Sequence, residues 1–178
     1  MGRIVITTNA TLDGVVQDPD GAEGFARGGW FGQFGGKDLD EWTRVVTDEA
    51  LGAAALLLGR RSDEWFGSRW ASRSGVLADR LNRLPKYVVS STLEHAVWGN
   101  STVLRGVDEV SKLTQDVDGE ILVYASYQLA RTLMGRDLID ELRLVVFPVV
   151  LGAGARLFGE TSVPLRLLRS QTLGEGLA

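Results

Sequence analysis

The 178-residue chain is 44% hydrophobic and 24% charged, with a formal net charge of -4. These values are typical of a globular protein with one sizeable core, so we expect a single domain over residues 1–178. The acidic balance argues against a general nucleic-acid-binding protein, and no stretch reaches the ~20 apolar residues that a membrane-spanning helix needs. The absence of cysteine and the single histidine, His95, exclude disulfides, thiolate metal sites and multi-histidine metal sites. The default expectation is a cytosolic protein with no metal, membrane or nucleic-acid partner.

The first third of the chain predicts two strands separated by a loop and a helix. The β-branched segment Arg3–Ala10 predicts the first strand, which runs into the turn Thr11–Gly14. The segment Gln17–Gly36 is rich in glycine and predicts a long mobile loop. Apolar residues at helical spacing predict a helix over Lys37–Ala54, and the apolar run Ala54–Leu58 predicts the second strand.

The rest of the chain alternates between predicted helices and predicted strands. Helices are predicted over Ser62 to about Arg69, Val76–Leu84, Val107–Gln115 and Tyr127–Met134. Strands are predicted over Lys86–Ser91, Ser101–Leu104, Glu120–Tyr124, Leu142–Val150 and Pro164–Arg169. This alternation is typical of a parallel sheet with right-handed crossovers, and such sheets bind ligands at the carboxyl ends of their strands.

The turn after the second strand carries the first candidate binding site. The sequence GRRS at Gly59–Ser62 predicts a tight turn and a helix capped by Ser62, whose first N–H groups are free to meet an anion. Gly59 permits close backbone approach or positive φ, and Arg60 and Arg61 add planar donors suited to phosphate. Alternatively, Gly59 only turns the chain and the two arginines are solvated. Two further strand ends carry comparable groups, Ser90–Ser91 and Ala125–Ser126.

These three strand ends, preceded by the TLDG turn, resemble the dihydrofolate-reductase-like superfamily. The sequence PVVLGAGARLF at Pro148–Phe158 makes the chain similar to one branch in particular, the C-terminal reductase domain of riboflavin biosynthesis and its stand-alone bacterial relatives. The resemblance extends from Arg3 to about Leu173. It implies an α/β three-layer fold with a mostly parallel central sheet and helices on both faces, and it implies NADPH-dependent reduction.

The resemblance also implies which residues bind NADPH. Gly59, Arg60, Arg61 and Ser62 would hold the pyrophosphate at the helix start, and Ser90 and Ser91 would receive the adenosine 2′-phosphate. The second glycine-rich turn of the family corresponds to Ala125, Ser126, Tyr127 and Gln128, and the nicotinamide site to Thr8, Asn9 and Val16. Two departures stand out, because the family usually has glycine at the position of Ala125 and Tyr127 is bulky for that turn.

Two residues are candidates for catalysis. Asp13 in the TLDG turn is the best candidate for the acid or the substrate anchor, although an Asp-Gly pair is also a common turn former. Trp30, in the glycine-rich loop, either covers the nicotinamide as a lid residue or anchors the loop to the body of the protein. The resemblance argues against dihydrofolate itself as the substrate, because the carboxylate that a folate reductase needs would fall near Thr43 and Arg44, and Pro85 stands in the place of its substrate-binding arginine.

The leading hypothesis is therefore a stand-alone NADPH-dependent reductase of a small heterocyclic or imine-like substrate, similar to the 5-amino-6-(5-phosphoribosylamino)uracil reductase. An antibiotic-tailoring or detoxifying reductase is not separable from it by sequence. The alternative is a non-catalytic protein that binds a nucleotide or a flavin on the same fold. Relatives usually end with one more apolar strand than this sequence has, so an open sheet edge and a homodimer are expected.

Overall fold

The computed structural model describes residues 1–160 and 162–178. Its strands are β1 (Arg3–Thr11), β2 (Ala53–Gly59), β3 (Lys86–Val89), β4 (Ser101–Leu104), β5 (Glu120–Tyr124) and β6 (Glu141–Phe147). Its α-helices are α1 (Trp30–Gly35), α2 (Leu39–Gly52), α3 (Arg60–Trp70), α4 (Val76–Arg83), α5 (Val110–Asp116) and α6 (Tyr127–Gly135). Short 3-10 turns precede α2 and α5.

The strands form one six-stranded sheet in the order β4-β3-β2-β5-β1-β6. The pairs β1 with β5, β2 with β5, β2 with β3 and β3 with β4 are all parallel, which confirms the mostly parallel sheet predicted from the sequence. The register places Gly59 opposite Val89 and Val89 opposite Leu104, so that β2, β3 and β4 end level with one another. Residues that follow these strands therefore emerge at one edge of the sheet.

The chain divides into two compact units. The first consists of residues 1–7 and 46–142, and the second of residues 8–45 and 143–178. The first unit is built on the apolar runs Leu56–Leu58 and Ile121–Val123, whose side chains are fully buried. Since both runs lie in strands with neighbours on each side, their continuous hydrophobicity is what a covered parallel sheet requires. The single domain expected from the sequence stays a prediction.

The core of the second unit surrounds Trp30, which is fully buried and begins α1 within the segment predicted to be a continuous loop. Its ring packs edge-on against Phe147 with centroids 5.2 Å apart, and its indole N–H donates to the carbonyl of Gln17 at 2.9 Å. The prediction of an uninterrupted loop is therefore wrong at this point. Burial of the ring favours the interpretation of Trp30 as an anchor of the segment, and its role as a lid residue over a nicotinamide stays a prediction.

The remainder of the glycine-rich segment is organised by the buried side chain of Asp18. Its carboxylate accepts the backbone N–H groups of Glu23 and Phe25, each at 2.9 Å. The backbone carbonyl of Asp18 accepts the N–H of Gly29 at 3.0 Å. The prediction of a mobile loop rested on glycine content alone and did not take this internal acceptor into account.

The predicted seventh strand over Pro164–Arg169 is wrong. Residues 162–170 have no regular secondary structure, and Leu165, Leu167 and Leu168 are exposed. The edge of β6 instead meets the last residue, because Val146 donates to the Ala178 carbonyl at 2.6 Å and Ala178 donates back at 3.3 Å. The homodimer expected from an open edge stays a prediction.

Among the described residues, no helix combines the length and the apolar character needed to cross a membrane.

Candidate functional site

Two helices of the first unit begin side by side at the carboxyl ends of neighbouring strands. Helix α3 begins at Arg60, directly after β2, and helix α6 begins at Tyr127, with two residues between it and the end of β5. Because β2 and β5 are adjacent and parallel, both helix starts lie at the same edge of the sheet. This edge is where the sequence places its candidate phosphate site.

Two serine hydroxyls hold these helix starts together. Ser126 donates its backbone N–H to the Ser62 hydroxyl at 3.1 Å, and the two hydroxyl oxygens are 2.8 Å apart. The Ser126 hydroxyl also accepts the N–H of Gly59 at 3.0 Å. The predicted role of Ser62 as N-cap is wrong, because α3 begins two residues earlier and its hydroxyl bonds across to the end of β5. Gly59 occupies the N-cap position instead.

Neither helix start is capped by a side chain. Gly59 has none to offer, and the hydroxyl of Ser126, the N-cap residue of α6, is committed to Gly59 and Ser62. The first N–H groups of a helix have no acceptor within it and carry the positive end of the helix dipole. Two such starts joined at neighbouring strand ends suit two linked phosphates.

Gly59 has no conformational reason within the protein to be glycine. Its φ of -82° is open to any residue, so the positive φ considered from the sequence is absent. A Cβ atom added there would meet only Ser126, at 3.8 to 3.9 Å, which is ordinary van der Waals contact. The space over Gly59 is therefore free for a ligand that approaches the backbone closely.

The end of β5 holds two consecutive non-glycine residues at positive φ, Ala125 at 49° and Ser126 at 51°. Such conformations are disfavoured for L-residues and persist where surrounding contacts impose them. Here the bonds of Ser126 to Ser62 and Gly59 impose the turn. Ala125 is exposed, so its methyl group points away from the packed interior.

The other residues predicted to bind the diphosphate lie on the first turns of α3 and α6, at this edge of the sheet. Arg60 and Arg61 are exposed on the first turn of α3, and the Arg60 guanidinium lies 3.5 Å from the Glu64 carboxylate. Tyr127 is half-buried at the start of α6, with the Arg131 guanidinium 5.4 Å from its ring centroid. The remaining predicted ligand on this helix, Gln128, is exposed.

The predicted serines follow β3, and a residue that sequence reasoning missed follows the neighbouring strand β4. Ser90 is half-buried, Ser91 is exposed, and the N–H of Ser90 donates to the carbonyl of Leu104, the last residue of β4. Arg105 follows Leu104 and therefore emerges beside Ser90. An arginine directly after a predicted strand was the available signal, in the same form as Arg60 after β2.

The predicted nicotinamide residues belong to the second unit. Thr8 and Val16 are buried, and the N–H of Val16 donates to the carbonyl of Ala155 at 2.9 Å. The side-chain oxygen of Asn9 accepts the indole N–H of Trp42 at 2.8 Å. Their role toward a nicotinamide ring stays a prediction.

Asp13 is fixed as an ionised acceptor in the second unit. Its carboxylate accepts the Thr11 hydroxyl at 2.6 Å and the N–H groups of Leu151 at 3.1 Å and Gly152 at 2.8 Å, and it faces the Arg156 guanidinium at 3.5 Å. The Thr11 hydrogen bond, followed by those from Gly152 and Leu151, lowers the pKa of Asp13 to about 2. A carboxyl group that is ionised at neutral pH has no proton to donate, so this geometry favours the turn-forming alternative over a general acid.

The sequence matches the family described as "RibD C-terminal domain" over residues 3–178. The chain belongs to this family. The uncharacterized protein YyaP of Bacillus subtilis is 25% identical over 186 residues, which cover 98% of this chain and 91% of that protein. The assignment confirms the branch to which the sequence was similar.

Solved structures share the fold of this chain. A putative riboflavin biosynthesis protein from Shewanella sp. PV-4 has a TM-score of 0.73 at 21% identity, covering 98% of this chain and 94% of that one. RibD of Acinetobacter baumannii has a TM-score of 0.67 at 14% identity, with 99% of this chain matching 56% of the longer one. Enterococcus faecalis dihydrofolate reductase, solved with NADP(H) and RAB-propyl, has a TM-score of 0.58 at 15% identity, covering 89% of this chain and 77% of that one. These likenesses confirm the dihydrofolate-reductase-like α/β fold.

Proposed function

We propose that this protein is an NADPH-dependent reductase of a small heterocyclic or imine-like substrate, similar to the 5-amino-6-(5-phosphoribosylamino)uracil reductase of riboflavin biosynthesis. The observation that carries the proposal is the pair of uncapped helix starts, α3 and α6, joined through Ser62 and Ser126. Membership of the RibD C-terminal domain family supports it. The dihydrofolate reductase of similar fold, solved with NADP(H), supports the choice of cofactor.

The residues present at this edge fit a dinucleotide. The open space over Gly59 lets a diphosphate approach the backbone, where N–H groups of the first turns of α3 and α6 act as donors. Arg60 and Arg61 supply positive charge beside it. NADPH, when bound, supplies the hydride, and these residues bind and orient its phosphates.

Binding of NADPH is tested by the thermal stability of the protein. A ligand that binds only the native state raises the unfolding temperature as its concentration exceeds the dissociation constant. We expect NADPH to raise that temperature and to change its own fluorescence on mixing. No change in either signal at millimolar NADPH would overturn the proposal.

The Gly59→Ala variant tests whether this edge is where the cofactor binds. Because the protein itself leaves room for a methyl group there, we expect normal stability but NADPH binding weakened about tenfold, equivalent to ~1.4 kcal/mol. Gly52→Ala is a matched control, since a Cβ at Gly52, the end of α2, also meets nothing within 4 Å. Equal NADPH affinity in both variants would place the phosphates elsewhere.

A non-catalytic nucleotide- or flavin-binding protein is the second candidate, and the state of Asp13 favours it. Its pKa of about 2 removes it as a proton donor near neutral pH. A reductase of this kind would take its proton from water or from another group. Steady NADPH oxidation with any member of a panel of pyrimidine, pterin and imine substrates would exclude the non-catalytic reading, whereas cofactor binding without turnover would support it.

A further inference from the structure

This inference rests on the proposed function and concerns two buried charged side chains in the first unit. Asp63, on the first turn of α3, is fully buried, and Lys86, the first residue of β3, is 1% exposed. Ionisable side chains are almost never fully buried unless they are paired or hydrogen-bonded. The diphosphate site proposed above uses neither of them.

The Asp63 carboxylate fastens α3 to the segment before β4. It accepts the backbone N–H groups of Val97 at 2.7 Å and of Trp98 at 3.1 Å. The Trp98 ring stacks on Phe66 of α3, with centroids 5.3 Å apart and planes 3° apart. A Cβ atom on Gly67 would come within 2.9 Å of the Trp98 nitrogen, so the two backbones are in close contact. The first turns of α3 are therefore held in place by this segment.

Lys86 holds the same segment through its ammonium group. Its Nζ donates to the carbonyls of Asn82 at 3.0 Å, Leu84 at 2.8 Å and Gly99 at 3.0 Å. Three acceptors match the three N–H donors of a protonated lysine, whereas a neutral amine has only two. The Nζ atom also lies 4.6 Å from the centroid of the Trp98 ring, which is a cation–π contact. Trp98 thus contacts both Asp63 and Lys86.

The charge on Lys86 balances a charge that opposes binding of an anion to α3. A carboxylate on the first turn of a helix interacts favourably with the helix dipole, but it repels a second anion at the same helix start. Asp63 occupies that position, and the proposed diphosphate would bind there. Because buried charges are poorly screened by solvent, the repulsion extends to a ligand that does not touch Asp63. The Lys86 ammonium group opposes it from within the same cluster.

Lys86 loses this charge at mildly alkaline pH. Burial lowers the pKa of Lys86 to about 8, against a smaller raising effect of the Asp63 charge. Above this pH the neutral amine cannot donate to all three carbonyls at once, and Asp63 is left without its counter-charge. Both changes act on the start of α3.

Asp63 is the charged group that acts on Lys86. The neighbouring strands β2 and β4 place the neutral residues Leu56 and Ser101 opposite Lys86. Charged groups of the surrounding elements are engaged elsewhere or exposed: Arg60 with Glu64 on α3, Arg80 and Arg83 on backbone carbonyls at α4, and Glu94 and His95 before β4. Carboxylates, imidazoles and guanidinium groups ordinarily titrate outside the range from pH 7.5 to pH 9.5. Lys86 is therefore the member of this cluster that changes charge there.

We propose that Lys86 is a positioning residue for the cofactor diphosphate: its ammonium group, acting through Asp63 and Trp98, keeps the start of α3 in place and favourable to an anion. Cofactor affinity then depends on the protonation of Lys86, although Lys86 does not touch the cofactor. By linkage, binding of the cofactor draws a proton onto Lys86.

The test measures the affinity of wild type for NADPH and NADH by calorimetry from pH 7.5 to pH 9.5, where the cofactor phosphates keep a constant charge. We expect both affinities to fall about fivefold across this range, as for a modest coupling between two sites. Binding at pH 8.5 should take up protons, measured from the heat of binding in buffers of different ionisation enthalpy. Both effects are expected for NADPH and NADH, because the two cofactors share the diphosphate.

Variants assign these effects to Lys86. Lys86→Met removes the charge at every pH and Lys86→Arg keeps it, so neither should show a pH-dependent affinity or proton uptake on binding. Lys112→Met, exposed on α5, is the matched control and should follow wild type in both. Circular dichroism at each pH establishes that the proteins are folded, and the proton uptake of wild type decides the matter even where a Lys86 variant does not fold.

The outcomes separate this inference from the proposed function. If wild type binds NADPH with the same affinity from pH 7.5 to pH 9.5 and without proton uptake, the inference fails and the cofactor assignment stands. A pH dependence that persists in a folded Lys86 variant would assign it to another group and also overturn the inference. If wild type binds neither cofactor at any of these pH values, the proposed function fails.

Discussion

Asp13 shows how one carboxylate fastens a turn to a distant part of the same unit. It joins the Thr11 hydroxyl to the backbone of Leu151 and Gly152, more than a hundred residues further along the chain. The Asp13 carboxylate has two oxygen atoms that accept hydrogen bonds from several donors. An asparagine side chain has only one oxygen acceptor. We expect Asp13→Asn to lower the free energy of unfolding at pH 7 by ~1–3 kcal/mol.

The pKa of Asp13 gives this prediction a pH signature. Because the pKa of about 2 in the folded state is below the ordinary 3.8, the unfolded state binds more protons between these values and stability falls as pH drops from about 4 to about 2. Urea unfolding from pH 2 to pH 7 should show a smaller acid loss in Asp13→Asn than in wild type. Asp40→Asn, exposed on α2, is the control for loss of a carboxylate, and an identical pH profile in all three proteins would contradict the prediction.

Ala125 offers a stabilising substitution. A non-glycine residue at positive φ costs of order 1 kcal/mol or more, while glycine adopts φ of 49° without a Cβ clash. We therefore expect Ala125→Gly to raise the free energy of unfolding by about 1 kcal/mol, after the extra flexibility of the unfolded chain is deducted. Ala130→Gly, inside α6, should lower it by a similar amount or more. Chemical denaturation measures both, and equal signs for the two changes would contradict this account of Ala125.

Lys86 begins the predicted third strand, and its side chain is buried. Its Nζ donates to the carbonyls of Asn82 at 3.0 Å, Leu84 at 2.8 Å and Gly99 at 3.0 Å, and it lies 4.6 Å from the ring centroid of Trp98. Burial lowers the pKa of Lys86 to about 8, against a smaller raising effect of Asp63. Sequence pattern alone could not reveal this, since two of the carbonyls come from the end of α4 and the third from the loop before β4.

Replacing Lys86 by Met removes the donor from the backbone carbonyls of Asn82, Leu84 and Gly99. We expect the free energy of unfolding to fall by ~2–4 kcal/mol at pH 7, as for several unsatisfied groups. Since the folded-state pKa of about 8 lies below the ordinary 10.5, the unfolded state binds more protons from pH 8 to pH 10.5 and wild-type stability should rise there relative to Lys86→Met. Lys112→Met, exposed on α5, is the control, and a constant difference between wild type and Lys86→Met across this range would contradict the sign.

At the scale of helices and strands, the alternation of apolar runs predicted most of the sheet. Strand β4 and β5 have the predicted bounds, because β-branched or apolar residues with clear breaks on both sides leave one reading. The prediction of Ser62 as an N-cap was wrong. A serine before an acidic turn is a typical N-cap, but the Ser62 hydroxyl bonds to Ser126. The local sequence does not show which residue after another strand a side chain will bond to.

At the candidate site too, the sequence did not predict how the N-terminal ends of α3 and α6 are joined. Gly59, Arg60 and Ser126 were identified because strand ends of a parallel sheet converge, which is a general property of the fold. The bonds that tie these ends together, and the emergence of Arg105 beside Ser90, depend on the register between strands. Register follows from pairing partners that the sequence does not name.

For the whole molecule, the expectation of a single domain predicts one cooperative unfolding transition. Asp13 belongs to the second unit and Lys86 to the first. If the chain unfolds as one domain, Asp13→Asn and Lys86→Met should each shift one common transition, because two-state unfolding couples every site to the same free energy. Calorimetry combined with tryptophan fluorescence measures this, and two transitions, of which each variant shifts only one, would show separate domains.

The internal bonds of Asp18 also bear on how proteases meet this chain. Arg27 is an exposed trypsin target in a segment whose glycines suggest easy access. Asp18, however, accepts backbone N–H groups on either side of Arg27, and Arg27 itself donates to the Leu151 carbonyl. Proteolytic cleavage requires a backbone that can detach from the protein and become extended. A segment held by several internal hydrogen bonds is therefore a poor substrate. Arg166 and Arg169 lie in an exposed stretch without regular structure. Limited trypsin digestion followed by mass spectrometry should therefore cut after Arg166 or Arg169 before Arg27, and early cleavage at Arg27 would show that Asp18 does not hold the segment in solution.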